Sequence, residues 1–88
     1  MKHINIKIFG KVQGVSFRHS ARLRAGELGI FGFARNEPDG TVYMEVEGSE
    51  KALEQFEEWC KHGFRWADVE KVESSSGDIK GFSDFVIK

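Results

Sequence analysis

Residues 4 to 18 read Ile4-Asn5-Ile6-Lys7-Ile8-Phe9-Gly10-Lys11-Val12-Gln13-Gly14-Val15-Ser16-Phe17-Arg18. Ile4, Ile6 and Ile8 alternate with Asn5 and Lys7, the period of a strand with one buried face, ending near Gly10. Further on, Phe17, Ala21, Ala25 and Leu28 recur at near i+4 spacing and give a helix one apolar face, while Arg22, Arg24 and Glu27 fall outside it. Ser16 is placed to cap that helix, which puts Arg18 in its first turn. The stretch between is therefore a strand-to-helix loop. Gly10 and Gly14 permit positive φ, so successive backbone N–H groups are able to turn toward one point. The first helical turn adds unpaired N–H groups and partial positive charge. Arg18 adds a planar fork of donors matched to phosphate oxygens. The pattern suits a tetrahedral, multiply charged anion held by the amides of residues 13 to 18, namely Gln13, Gly14, Val15, Ser16, Phe17 and Arg18, together with the Arg18 side chain. Glycines in such a loop also serve as turn punctuation, and an arginine near a helix start also serves as a solvated side chain. Spacing alone leaves both readings open. A nucleotide P-loop is excluded, because Gly14 is followed by Val15 and Ser16 rather than by Lys and Ser/Thr, and the dinucleotide pattern G-x-G-x-x-G is absent.

The rest of the chain supplies the frame. Gly29 followed by Ile30 reads as a helix stop with a hydrophobic residue just beyond. Residues 31–36 read as a second strand, and Glu37-Pro38-Asp39-Gly40 as a turn. Residues 41–47 alternate, with Val42, Met44 and Val46 on one side, and make a third strand paired with the second in a hairpin. Gly48-Ser49 opens a second helix with Ser49 as its cap. Leu53, Phe56 and Cys60 share one face of it, flanked by Ala52 and Trp59. Glu50, Glu54, Glu57, Glu58 and Lys61 cover the outside, and His62-Gly63 ends it. Val69 and Val72, then Phe82, Phe85 and Ile87, predict a strand near 67–74 and a short terminal strand near 82–87. The order β-α-β-β-α-β, plus a terminal strand, predicts an α+β, ferredoxin-like βαββαβ sandwich: an antiparallel sheet with two helices on one face. In that topology the first and second strands run the same way with the third between them. The loop after the first strand and Asn36 at the end of the second then meet at one edge of the sheet. Asn36 also suits an Asx turn ahead of Pro38-Asp39-Gly40.

The chain of 88 residues is expected to form one domain over residues 1–88, long enough for one core. Apolar residues make up 40% and charged residues 31%, a globular balance, with eight phenylalanines and two tryptophans as large core pieces. Net charge is −1, which counts against a nucleic-acid partner. No apolar run approaches the roughly 20 residues of a membrane span. The N-terminus enters strand pattern directly, without a signal-peptide core, and a single cysteine forms no internal disulfide; both fit a reducing cytoplasm. A monomer is the default at this size. Cys60 invites comparison with cysteine phosphatases, but four residues rather than five separate it from Arg65, and its apolar helix face makes it a buried core thiol. His3, His19 and His62 lack zinc-like spacing, so no metal and no cofactor is expected. His19 adjoins Arg18, which leaves contact with the site open, and otherwise reads as facing solvent. A competing class is an RNA-recognition module of the same βαββαβ order, since Lys80-Gly81-Phe82-Ser83-Asp84-Phe85-Val86 echoes the aromatic motif of such domains. Ser83-Asp84 breaks its spacing, however, and it lies on the last strand rather than the third.

Gly10-x-Val12-Gln13-Gly14-Val15-x-Phe17-Arg18 resembles the signature of acylphosphatases. Ala34-Arg35-Asn36-Glu37-Pro38-Asp39-Gly40 is similar to the second family block, V-x-N-x-x-D-G. Between them Leu28-Gly29-Ile30-Phe31-Gly32-Phe33 resembles L-G-L-x-G-x. Gly63-Phe64-Arg65-Trp66-Ala67-Asp68-Val69 resembles G-P-x-x-A-x-V with the proline replaced by Phe64. At Ser16 the family often carries glycine or a large residue. The resemblance covers nearly the whole chain and implies hydrolysis of a small-molecule acyl phosphate to a carboxylate and inorganic phosphate, with Arg18 and Asn36 catalytic. It also brings to mind the acylphosphatase-like start of hydrogenase maturation factors, although no second domain is read in these residues.

Overall fold

The alternation at the start of the chain becomes β1 (Lys2–Lys11), with Ile6 and Ile8 fully buried. The computed structural model describes residues 1–62 and 64–88. After β1 come α1 (Phe17–Leu28), β2 (Phe31–Asn36), β3 (Val42–Gly48), α2 (Glu50–His62), β4 (Asp68–Gly77) and β5 (Phe85–Ile87). The sheet order is β4-β1-β3-β2-β5. β3 is antiparallel to both β1 and β2, with Ile6 opposite Met44 and Met44 opposite Ala34. β1 and β2 are therefore parallel with β3 between them, the arrangement that the β-α-β-β-α-β order dictates.

One face of the sheet carries the core. Ile6, Ile8, Val42, Met44, Val46 and Ala34 are buried there with Phe17, Ala21 and Ala25 of α1 and with Leu53, Phe56 and Cys60 of α2. These are the helix faces predicted from i+4 spacing. Gly29 ends α1 in the left-handed conformation at φ 70°, where glycine has no Cβ penalty, and the Ser49 hydroxyl accepts the Ala52 N–H at 3.1 Å as a cap on α2. At the other end of α2 the predicted stop falls on His62, the last helical residue; Gly63 lies outside the described residues.

Three expectations need correction. β5 pairs parallel to β2, with Phe33 opposite Val86, so the sheet is mixed rather than wholly antiparallel. The terminal strand covers only Phe85–Ile87 rather than 82–87. β4 runs on to Gly77, beyond the expected 74. A single cause lies behind the first two. β4 ends beside His3, at the far end of the sheet, and the segment 78–84 then crosses the open face to the free edge of β2. It enters that edge from the end where β2 itself begins, so β5 must run parallel to it. The N–H groups of Lys80, Gly81 and Phe82 are bonded to the Glu47 carboxylate instead of to a strand ladder. As for β4, it is the outer strand against β1, so its polar Ser74, Ser75 and Ser76 keep pairing while their side chains stay in water.

Candidate active site

At the C-terminal end of β1 the ladder shifts register between Phe9 and Gly10. Gly10 has φ 124°, and a Cβ there would overlap the Asp68 carbonyl of β4, so only glycine fits. The chain then turns through Gly14 (φ 75°) and Ser16 (φ 63°) before α1 begins at Phe17. Ser16 is the one non-glycine residue at positive φ among the described residues. It occupies the N-cap position, but its side chain makes no capping hydrogen bond, against the expectation that its hydroxyl would cap. Its left-handed backbone removes the extended geometry in which an N-cap hydroxyl reaches the N2 or N3 amide. The first turn of α1 also contains no acidic residue. The unbonded first-turn amides and the Arg18 guanidinium thus add positive potential with no carboxylate in that turn to offset it.

Phe17 is 1% exposed, its ring tilted against Trp59 at 5.4 Å and edge-on to Phe64 at 5.7 Å between centroids. This pins the helix start into the core and leaves Arg18, the next residue, at the surface. Arg18 Nη1 donates to the Lys88 carbonyl at 2.7 Å, and Lys88 N–H donates to the Ala34 carbonyl at 2.8 Å. The guanidinium is therefore tethered to the exit of β5 beside β2.

A cleft of about 350 Å³ opens at this edge, lined by Val12, Gly14, Ser16, Phe17, Arg18, His19, Asn36 and Ile87. Of the residues predicted from sequence, Gly14, Ser16, Phe17, Arg18 and Asn36 meet in it. Gln13 and Val15 do not join its wall. Val15 packs against the core, and Gln13 Nε2 donates to the carbonyls of Glu37 at 2.7 Å and Thr41 at 2.9 Å. Gln13 thus ties the glycine loop to the turn that follows Asn36. The Asx role in that turn belongs to Asp39, not Asn36. Asp39 Oδ1 accepts the Thr41 hydroxyl at 2.6 Å and the Thr41 N–H at 3.0 Å, and Lys7 Nζ lies 3.1 Å from its other oxygen. The bonds from the Thr41 hydroxyl and amide, then that from Lys7, hold the Asp39 pKa down at about 2. His19 is exposed, as expected, and also lies on the cleft wall, and Ile87 reaches that wall because β5 lies parallel to β2. Ile87 reads from sequence as part of the terminal strand, but no local signal places that strand beside the cleft.

Cys60 stands apart from this cleft, 1% exposed in the core, and burial pushes its thiol far above the usual range. It is a packing residue, as its helix face implies. Among the described residues no three His, Cys, Asp or Glu side chains converge as metal ligands. No described helix is long and apolar enough to cross a membrane.

The family model described as Acylphosphatase matches residues 4–87. An acylphosphatase of a Nocardioides species is 44% identical over 85 residues, covering 97% of this chain and 86% of that protein. The crystal structure of acylphosphatase from Bacillus subtilis superposes with a TM-score of 0.95 at 31% identity, covering 100% of this chain and 99% of that one. The crystal structure of T. kodakarensis HypF superposes with a TM-score of 0.86 at 30% identity, this chain matching 12% of that longer one.

Proposed function

The chain belongs to the acylphosphatase family and hydrolyses acyl phosphates, and we propose that Arg18 and Asn36 are its catalytic pair, with the amides of residues 13 to 18 as the phosphate cradle. The observation that carries this reading is that Arg18, Asn36, Gly14 and the uncapped start of α1 line one cleft. The phosphoryl group of the substrate takes its place against Arg18 and the loop amides. These donors stabilise charge on the phosphoryl oxygens in an in-line transition state, where most of the catalysis of phosphoryl transfer lies. The Asn36 amide positions the attacking water. A neutral carboxamide is not basic at neutral pH, so the water proton passes to a phosphoryl oxygen of the substrate. The water oxygen bonds to phosphorus, and the bond from phosphorus to the acyl oxygen breaks. A carboxylate leaves with the electron pair, and inorganic phosphate remains. Because a carboxylate is a good leaving group, the reading includes no metal and no organic cofactor. It also takes residues 1–88 as one domain, a monomer in a reducing cytoplasm without a nucleic-acid partner. The near-neutral charge and the lone buried thiol support this.

The test is the hydrolysis of benzoyl phosphate with and without a chelator. Turnover is expected to survive chelation. Arg18→Ala is expected to lower kcat/KM about 10³-fold, the scale of a lost oxyanion donor. Asn36→Ala is expected to lower kcat about 10²-fold with KM within a few-fold, as loss of water positioning predicts. Full kcat in a folded Asn36→Ala variant would refute the water-positioning role. Chelator-sensitive turnover would refute the metal-free reading.

A further inference from the structure

The face of the sheet away from the helices holds a buried polar cluster that the reaction does not use. Glu47 on β3 is fully buried, and His3 on β1 is 3% exposed. One Glu47 oxygen accepts the N–H groups of Gly81 and Phe82, each at 3.1 Å. The other accepts the N–H of Lys80 at 2.5 Å and pairs with His3 Nδ1 at 2.8 Å. The far nitrogen of His3 lies 2.9 Å from Asn5 Oδ1 and 3.3 Å from Glu45, whose carboxylate also pairs with Lys80 Nζ. The Phe82 ring stacks on His3 and stands edge-on to Phe33, both at 5.9 Å. Three consecutive amides converging on one carboxylate fix the backbone of 80–82 as a strap across the open face. Burial opposes ionisation of Glu47, but the bonds from the Lys80 amide, the His3 ring and the Phe82 and Gly81 amides outweigh it and lower its pKa.

The strap leads straight to the cleft. The Asp84 carbonyl accepts the Gly32 N–H at 2.8 Å, β5 pairs along β2, Ile87 lines the cleft, and the Lys88 carbonyl holds Arg18. β5 is only three residues long, and one of its two flanks is open, so the strap before it sets its position. We propose that Glu47 is a positioning residue for the phosphate clamp: its carboxylate pins the strap 80–82, which sets β5 and through the Lys88 carbonyl aims Arg18. Glu47 does this from the opposite end of the sheet. It lies five positions along β3 from Val42, which pairs with Asn36, a span of about 17 Å at strand rise. The inference rests on Arg18 as the phosphate clamp.

The experiment measures inorganic phosphate affinity and benzoyl phosphate kinetics for wild type, Glu47→Gln and the control Cys60→Ala. Glu47→Gln keeps the volume but loses the charge and one acceptor. It is expected to weaken phosphate binding about tenfold and to lower kcat/KM by a similar factor, as a small misplacement of a binding group does. Cys60→Ala, a core change remote from the strap, is expected to lower thermal stability and leave phosphate affinity within about twofold of wild type. In an Arg18→Ala background Glu47→Gln is expected to add nothing to the loss of phosphate affinity, which a merely structural role would not produce. If Glu47→Gln does not fold, Phe82→Leu, which loosens the same strap at its aromatic contact, is expected to weaken phosphate binding about threefold. Glu47→Gln, or Phe82→Leu in its place, with wild-type phosphate affinity and kcat/KM would overturn the proposal. A wild type that turns over benzoyl phosphate yet loses no phosphate affinity on Arg18→Ala would instead overturn the clamp, and the proposal with it.

Discussion

Ser16 illustrates how a single residue holds the loop at a cost. A non-glycine residue at φ 63° crowds its Cβ against the following carbonyl, a penalty of roughly 1 kcal/mol. The loop accepts it because the chain must turn there from Gly14 into the start of α1. Ser16→Gly is expected to raise stability by about 0.5–1 kcal/mol, less than the full strain because glycine loses more entropy on folding; urea unfolding measures it. From sequence Ser16 reads as an N-cap, and it does occupy that position. Its side-chain role was not legible, because φ and ψ follow from where the loop must end on α1 and not from the residue itself. Gln13 has the same lesson with more consequence. The loop pattern makes its backbone amide a phosphate-binding candidate, but nothing local shows that its side-chain amide bonds to the Glu37 and Thr41 carbonyls. Gln13→Ala is expected to lower kcat about tenfold, because Asn36 and the loop lose their common tie, and to destabilise the fold by about 1–2 kcal/mol. Steady-state kinetics beside urea unfolding tests both, and an unchanged kcat would show that the turn keeps Asn36 in place unaided.

Among the elements, the hairpin turn between β2 and β3 has the clearest dependence on pH. Asp39 is held at about 2 by its bonds to Thr41 and its pairing with Lys7, against an ordinary 3.8. Its folded-state pKa is depressed, so the turn's stabilisation is fully present above about pH 4. It is lost as pH falls toward 2, because the unfolded chain takes up the proton first. Amide exchange at Thr41 is expected to accelerate, relative to its intrinsic rate, over that window. Asp39→Asn is expected to show the faster exchange already at neutral pH and little further change in acid. The turn itself was plain from Pro38, Asp39 and Gly40, while the partner of Asp39 across the sheet, Lys7, required the register of β1 on β3. Both helices were equally plain, since their buried faces repeat at helical spacing and each ends at a local signal. The terminal strand was legible in Phe82, Phe85 and Ile87, but its late start and its parallel pairing were not, because both depend on the free edge of β2.

For the molecule as a whole, the tightest constraint is the approach of β2 to β3. Gly32 has φ 156°, and a Cβ there would overlap the Glu45 carbonyl. Gly32→Ala is expected to destabilise the fold by on the order of 3 kcal/mol, since neither strand is free to move without disturbing the core beneath it. Thermal unfolding measures this, and a melting temperature within a degree of wild type would show that the sheet yields there. The sequence by itself determined the α+β order, the helical core faces, the β2–β3 hairpin and the two blocks that carry Arg18 and Asn36. Each of these is written in local periodicity, in turn chemistry or in a motif of fixed spacing. Their meeting at one edge followed from strand order alone, because β1 and β2 must run the same way around β3. Only the tertiary structure decided that the Gln13 side chain braces the loop against the turn after Asn36, that Ile87 reaches the cleft, and that Glu47 is buried under the strap. The Gln13, Ile87 and Glu47 outcomes depend on contacts between residues more than twenty positions apart, or on which side of a sheet a connection crosses. A window of neighbouring residues has no term for either.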